Sequence, residues 1–181
     1  FNFRKSPLVK MSKIVVIRHA KSDWHSNTSD FERVINKEGQ KSCQIISQEL
    51  KKRITKPDKF IVSTAIRAQL THQEIFFSWY NELELEKNTI NDELLYSGTV
   101  DKILTNLKMN LTGFNTSVII GHNPILNYVL NVLAFKGKNL IPNNLVEAGC
   151  VLISYETNHY NQTNFKDGTI IEYINPKQFL K

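Results

Sequence analysis

The chain has 181 residues, 41% of them hydrophobic, and a formal net charge of +6, which fits one domain with a core of its own. Arg4, Lys5 and Lys10 supply three of those charges from a first stretch without any acid, and the remaining +3 is too small an excess for a nucleic-acid footprint. No apolar run reaches the ~18 residues that a membrane-spanning helix requires.

Residues 1–10 precede Met11, Ser12 and Lys13 and carry no hydrophobic signal core. They read as a tag or upstream remnant, and residues 11–181 as a single domain. Lys13–Ile17 is a strand, followed by a polar loop from Ser22 to Asp30. Asn36 to about Arg53 is a helix with Cys43, Ile46, Leu50 and Ile54 on one face. Lys59–Val62 is the second strand. The next helix is expected from about Thr64 to Glu84, burying Ala68, Ile75, Phe76 and Trp79. A short strand at Asn88–Ile90 precedes a helix that Thr99 caps and that closes near Gly113. Thr116–Ile120 is a strand. Asn123 as N-cap and Pro124 at the first helical position then open a helix over Ile125–Phe135, which Gly137 ends. Cys150–Tyr155 and Thr169–Ile174 are strands joined by a polar loop containing Asp167 and Gly168.

Alternation of strand and helix predicts an α/β fold, a three-layer αβα sandwich with helices on both faces of the sheet. The last two strands have no helix between them, so the expected sheet is mostly parallel with one antiparallel edge strand. Cys43 and Cys150 lie in apolar patterns and suggest reduced, packed thiols of a cytoplasmic protein.

Three strand ends break the usual rule that buried strands finish in turn formers. Ile14 to Ile17 run directly into Arg18, His19, Ala20, Lys21 and Ser22. Ser117 to Gly121 run into His122, Asn123 and Pro124, and Lys59 to Ser63 lead to Arg67 in the first turn of a helix. Arginine and histidine are expensive to desolvate, and the carboxyl ends of strands are where open α/β sheets bind ligands. Two histidines and two arginines at such ends outline a phosphoryl-group site.

These blocks, Arg18-His19-Ala20-Lys21-Ser22, Ser63-x-x-x-Arg67-Ala68-x-x-Thr71 and Gly121-His122-Asn123-Pro124, resemble the signatures of the histidine phosphatase superfamily. The Arg-His-Ala-Lys-Ser ending, with Asp30-Phe31-Glu32-Arg33-x-x-Asn36-x-x-Gly39 after it, resembles the SixA-type phosphohistidine phosphatases within it. The match runs from about Lys13 to Asn175-Pro176-Lys177. It departs at Val146-Glu147-Ala148-Gly149, where a Thr/Ser-Gly pair is usual. The resemblance implies a phosphoglycerate mutase-like fold, with His19, Arg18, Arg67 and His122 as the catalytic set and Lys21, Ser22 and Asn123 at the substrate.

The chemistry of those residue types agrees. A neutral imidazole with one ring nitrogen held by a carbonyl is a good nucleophile. Arginine forks match equatorial phosphoryl oxygens in a way lysine cannot. His122, expected as the protonated form between two arginine-bound oxygens, would add a donor, and the helix behind it a positive end. No metal or other cofactor is needed, and His19, His25, His72, His122 and His159 show no ligand spacing. Superfamily members that cleave phosphate esters carry an acid after the third strand. The corresponding stretch here holds only Asp92 and Glu93 as candidates and lacks the mutase pattern.

A phosphoramidate demands less proton donation, so the expected activity is hydrolysis of protein phosphohistidine through a phosphohistidine intermediate on His19. The expected partner is a phosphocarrier or histidine-kinase-type domain, with no nucleic acid and no membrane. A small-molecule phosphomonoesterase and a catalytically silent phosphate-binding module are the alternatives. The second is disfavoured because a pure binder gains nothing from a nucleophile.

Overall fold

The computed structural model describes residues 11–24, 27–111, 113–156 and 167–179. In chain order these form β1 (Met11–Arg18), α1 (Lys37–Lys51), β2 (Lys59–Ser63), α2 (Ile66–Phe76), α3 (Glu82–Lys87), β3 (Thr89–Asp92) and α4 (Leu94–Ser97). There follow α5 (Val100–Asn110), β4 (Thr116–Gly121), α6 (Ile125–Leu133), β5 (Ala134–Lys136), β6 (Cys150–Glu156) and β7 (Gly168–Ile174). Residues 1–10, His25, His159 and most of the loop between the last two strands lie outside the described residues.

Ile14, Val15, Val16 and Ile17 in β1 are each at most 1% exposed. A strand buried on both faces needs such an unbroken apolar run. Successive side chains go to opposite faces. Val15 and Ile17 pack into a core with Cys43, Ile46 and Leu50 of α1 and Ile75 and Phe76 of α2. Ile14 and Val16 join Ile103 and Leu107 of α5 and Leu126, Val129, Leu130 and Leu133 of α6. The result is the expected three-layer αβα sandwich.

The sheet order is β3-β2-β4-β1-β6-β7-β5. β1 pairs parallel with β4, β4 with β2, and β2 with β3. β6 runs antiparallel to both β1 and β7, and β5 parallel to β7. One reversed strand is present as expected, but it is interior rather than at the edge. The reason lies in β6 itself: Cys150 and Leu152 pack into one core and Val151 and Ile153 into the other, so it needs cover on both faces. The edge is supplied instead by β5, which the sequence reading had merged into the preceding helix. That helix ends at Leu133, and Ala134 and Lys136 pair with Gly168 and Thr169. Gly137 turns the chain there at φ +78°, in the left-handed region open to glycine.

The helix expected from Thr64 to Glu84 is also broken. α2 stops at Phe76, a 3₁₀ turn spans Phe77–Trp79, and α3 starts afresh with the Asn81 side chain accepting from the Glu84 amide at 2.9 Å. Asn81 is a strong N-cap, with Glu82 and Glu84 in the first turn behind it. The cap at α6 also differs from expectation: Pro124 holds the N-cap position, and Asn123 bonds elsewhere.

Candidate active site

Pairing fixes where the strand ends emerge. Arg18 is opposite Gly121 in the β1–β4 ladder, and the His19 amide donates to the Gly121 carbonyl at 2.9 Å. His19 and His122 therefore leave the sheet side by side, with ring centroids 4.9 Å apart. β2 flanks β4 on its other side, and Ser63 at its end lies 2.8 Å from His122 Nε2. Arg67 follows in the first turn of α2.

His19 Nδ1 donates to the Ala20 carbonyl at 2.8 Å, the tautomer that leaves a lone pair on Nε2. That carbonyl is itself anchored. The Ala20 amide donates to Thr71 Oγ1 at 2.9 Å, and the Thr71 hydroxyl donates to the Arg67 carbonyl at 2.6 Å. A single buried hydroxyl thus joins the end of β1 to α2. Burial pushes the His19 imidazole down to about 4 against the pull of the Ala20 carbonyl, and the charges of Arg67, Arg18 and Arg33 push it the same way. At pH 7 it is neutral, as a nucleophile must be.

His122 is likewise held down to about 3, by burial first and then by His19 and Arg67. A buried imidazolium is disfavoured beside guanidinium groups, so the protonated His122 expected from the sequence requires the phosphoryl oxygens to which that expectation ties it. Its Nδ1 and the Nε of Arg18 are buried without a hydrogen-bond partner among the described residues. Buried polar atoms of this kind point to an acceptor supplied from outside the chain.

Arg18 donates through NH1 to the Leu145 carbonyl at 2.6 Å. Arg67 is 4% exposed. Its NH2 donates to Asp30 Oδ2 at 3.0 Å, its NH1 to the Asp30 main-chain carbonyl, and its Nε faces His19 Nε2 at 3.4 Å. The Nε edge is thereby turned toward His19. Asp30 also accepts from Arg33 Nε and NH2 at 3.0 and 2.7 Å and from the Tyr96 hydroxyl at 3.1 Å. Burial works to raise the Asp30 carboxyl, but the Arg33 hydrogen bonds, the Arg67 charge and Tyr96 outweigh it and hold it below the ordinary carboxylate range.

Asp30, Arg33 and Tyr96 were not singled out as site residues from sequence. Asp30 and Arg33 stood in the quoted motif, but the Tyr96 contact spans 66 positions, and no local pattern reports it.

The structure distributes the remaining candidates as follows. Lys21 sits at the rim in an ion pair with Glu38 at 2.5 Å. Ser22 is buried and accepts from Arg33 NH1 at 2.7 Å, so it supports the arginine. Asn123 donates through Nδ2 to the Leu145 carbonyl at 3.0 Å and to Asn144 Oδ1, tying the end of β4 to the loop that also holds Arg18. Asp92 is corrected as a candidate acid. Its Oδ1 accepts the Leu94 amide at 2.9 Å and its Oδ2 accepts from Asn106 at 2.7 Å, so both oxygens brace α4 and α5. Glu93 is exposed, and its main-chain carbonyl accepts from the Tyr96 amide at 2.9 Å. In the departing segment 146–149, Ala148 adopts φ 57° and its amide donates to the His19 carbonyl at 3.2 Å. Backbone, rather than a Thr or Ser hydroxyl, makes that contact.

In fold, the molecule is similar to solved phosphatases, among them proteins described as SixA phosphohistidine phosphatases. The protein histidine phosphatase SixA in complex with tungstate superposes with a TM-score of 0.74 at 19% identity, over 93% of this chain and 99% of that one. A protein assigned as the phosphohistidine phosphatase SixA of Agrobacterium tumefaciens gives 0.73 at 19% identity, over 91% and 99%. Mycobacterial glucosyl-3-phosphoglycerate phosphatase gives 0.59 at 10% identity, over 90% and 98%. No protein-family model matches the sequence, and no curated protein matches it. Among the described residues, no helix is long and apolar enough to cross a membrane.

Proposed function

We propose that this protein is a metal-independent phosphatase that works through a phosphohistidine intermediate on His19, with protein phosphohistidine as its substrate class. The observation that carries the reading is the state of His19: neutral, with Nδ1 pinned to the Ala20 carbonyl and Nε2 facing Arg67 Nε at 3.4 Å.

In the first step the Nε2 lone pair forms a bond to phosphorus. The bond to the leaving group breaks, and its electron pair stays with the departing atom, which takes a proton from solvent. Charge on the equatorial oxygens is met by the Nε edge of Arg67, by Arg18 and by His122. A phosphoryl dianion between Arg67 and Arg18 would add to the pull of Asp30 in favouring a proton on His122, against the burial and the arginines that oppose it. In the second step water attacks phosphorus, the N–P bond returns its pair to Nε2, and inorganic phosphate and a proton leave.

The choice of phosphohistidine over a phosphate ester rests on proton supply. Imidazole is a good leaving group, whereas an alkoxide needs an acid. Asp92 is occupied on both oxygens. Asp30, the carboxyl at the site, is held ionised by Arg33 and Arg67 and is a poor proton donor at neutral pH. A small-molecule phosphomonoesterase would have to draw on that poor donor or on Glu93, which is exposed.

Brief incubation of wild-type protein with ³²P-labelled phosphohistidine on a phosphocarrier domain, trapped without acid, tests the mechanism. Label is expected on His19, stable to base and labile to acid, and absent from folded His19→Ala. Label on a serine or an aspartate would remove the mechanism.

A further inference from the structure

The exposed aromatic residues nearest the nucleophile are not scattered. His122 lies 4.9 Å from His19, Tyr96 meets His122 edge-on at 5.5 Å, and Phe31 meets Tyr96 edge-on at 5.2 Å. The row starts at the buried imidazoles and ends at two rings that are each 36% exposed. Single exposed aromatics need no explanation; two in contact with each other and continuous with a catalytic imidazole do.

The row is also held in place. The Tyr96 hydroxyl donates to Asp30 Oδ2, and the amide of Ile66, at the start of α2, donates to the Phe31 carbonyl at 3.1 Å. Tyr96 is therefore held by the carboxylate that also holds Arg67, and Phe31 by the residue just before Arg67. Arg33, which also holds Asp30, stacks on the Trp24 ring at 3.6 Å.

We infer that Phe31 and Tyr96 form the leaving-group wall of the site and set its specificity for substrates whose departing group is a flat aromatic ring. A group leaving from the side of phosphorus away from His19 meets Tyr96 and then Phe31 before it reaches solvent. Aromatic rings pair edge-to-face or offset and add to affinity beyond the area they bury, whereas a hydroxyl-rich alkyl group would leave its polar atoms against apolar ring edges. The inference rests on the phosphatase reading and extends it from reaction to selectivity. Free aryl or imidazolyl compounds and a histidine carried on a folded protein present the same chemistry, so the test includes both sources.

Two matched pairs separate ring from reactivity: an aryl phosphate against acetyl phosphate, and phosphoimidazole against phosphoramidate. A phosphohistidine on a phosphocarrier domain is the protein-borne arm. The readout is the ratio of kcat/KM for the aromatic member to that for its partner, in wild type, Phe31→Leu and Tyr96→Phe. Loss of one aromatic contact corresponds to about a 2- to 10-fold fall in that ratio for Phe31→Leu. Tyr96→Phe keeps the ring and is expected to lower both members together while the ratio holds. If the protein-borne substrate follows the aromatic members in Phe31→Leu, the wall serves protein substrates; if the small aromatics alone fall, it serves small ones. An unchanged ratio in Phe31→Leu overturns the wall while leaving the phosphatase intact. Failure of wild type to turn over any of these compounds overturns both.

Discussion

Arg67 shows how much one side chain is asked to do. Its NH1 and NH2 are committed to the main chain and carboxylate of Asp30, and its Nε edge is left toward His19. An ammonium group has no second edge to offer, so Arg67→Lys should not act as a conservative change. Loss of at least ~10²-fold in kcat/KM is expected, the size found when one transition-state donor is removed. Steady-state kinetics on an aryl phosphate measure it, and near-normal activity would make Arg67 a structural residue. The same set of residues makes a statement about metals. Charge stabilisation here is assigned to guanidinium and imidazole groups, so EDTA should leave turnover unchanged. Vanadate, which mimics a trigonal-bipyramidal phosphoryl group, should inhibit. Activity lost to EDTA and restored by Mg²⁺ would contradict the assignment.

At the scale of elements, the site depends on how closely α1 approaches the loop after β1. Gly39 lies in the first turn of α1, and a Cβ there would stand 2.3 Å from the Lys21 carbonyl oxygen and 3.1 Å from the Lys21 nitrogen. Both are backbone atoms that cannot rotate away. Gly39→Ala should therefore push α1 off residues 20–22, costing about 1–3 kcal/mol as an overpacking change and lowering activity through the displaced Ala20 carbonyl. Denaturant titration and kinetics on the same sample test the two effects together. The legibility of the sequence also divides at this scale. Arg18, His19 and His122 could be found because a buried strand that ends in residues costly to desolvate is a local anomaly. The broken helix around Phe76 could have been found from Asn81 and the acids after it. β5 could not, because three residues become a strand only through their pairing with β7. Asp30 and Tyr96 were hidden for the same reason, since their roles arise from the packing of a loop against α2 and α4. Asp92 misled because its position after the third strand fits an acid, while its two oxygens are used by Leu94 and Asn106.

For the molecule as a whole, three buried imidazoles share one consequence. His19 and His72 are held down to about 4 and His122 to about 3, each chiefly by burial, from an ordinary value of 6.5. Between pH 6.5 and about 4 the unfolded chain binds protons that the folded chain refuses. Stability therefore rises with pH across that window, complete above 6.5 and lost progressively toward 4. The slope can reach about 1.4 kcal/mol per pH unit for each imidazole. The urea midpoint is expected to fall between pH 7 and pH 5, and a flat midpoint would show that these rings are not held neutral.

The register of the central strand sets an order in time. Arg18 belongs to β1, yet its amide donates to the Gly149 carbonyl and its guanidinium to the Leu145 carbonyl. His19 finds its neighbouring imidazole only when β4 has been added beside it. Synthesis runs from the amino end, so Arg18 and His19 are made before the loop at Leu145, which orients Arg18 from 127 positions further on. Until that loop is added, a nascent chain carries His19 without the groups that surround it in the folded molecule. The site is assembled only when the sheet closes around β1.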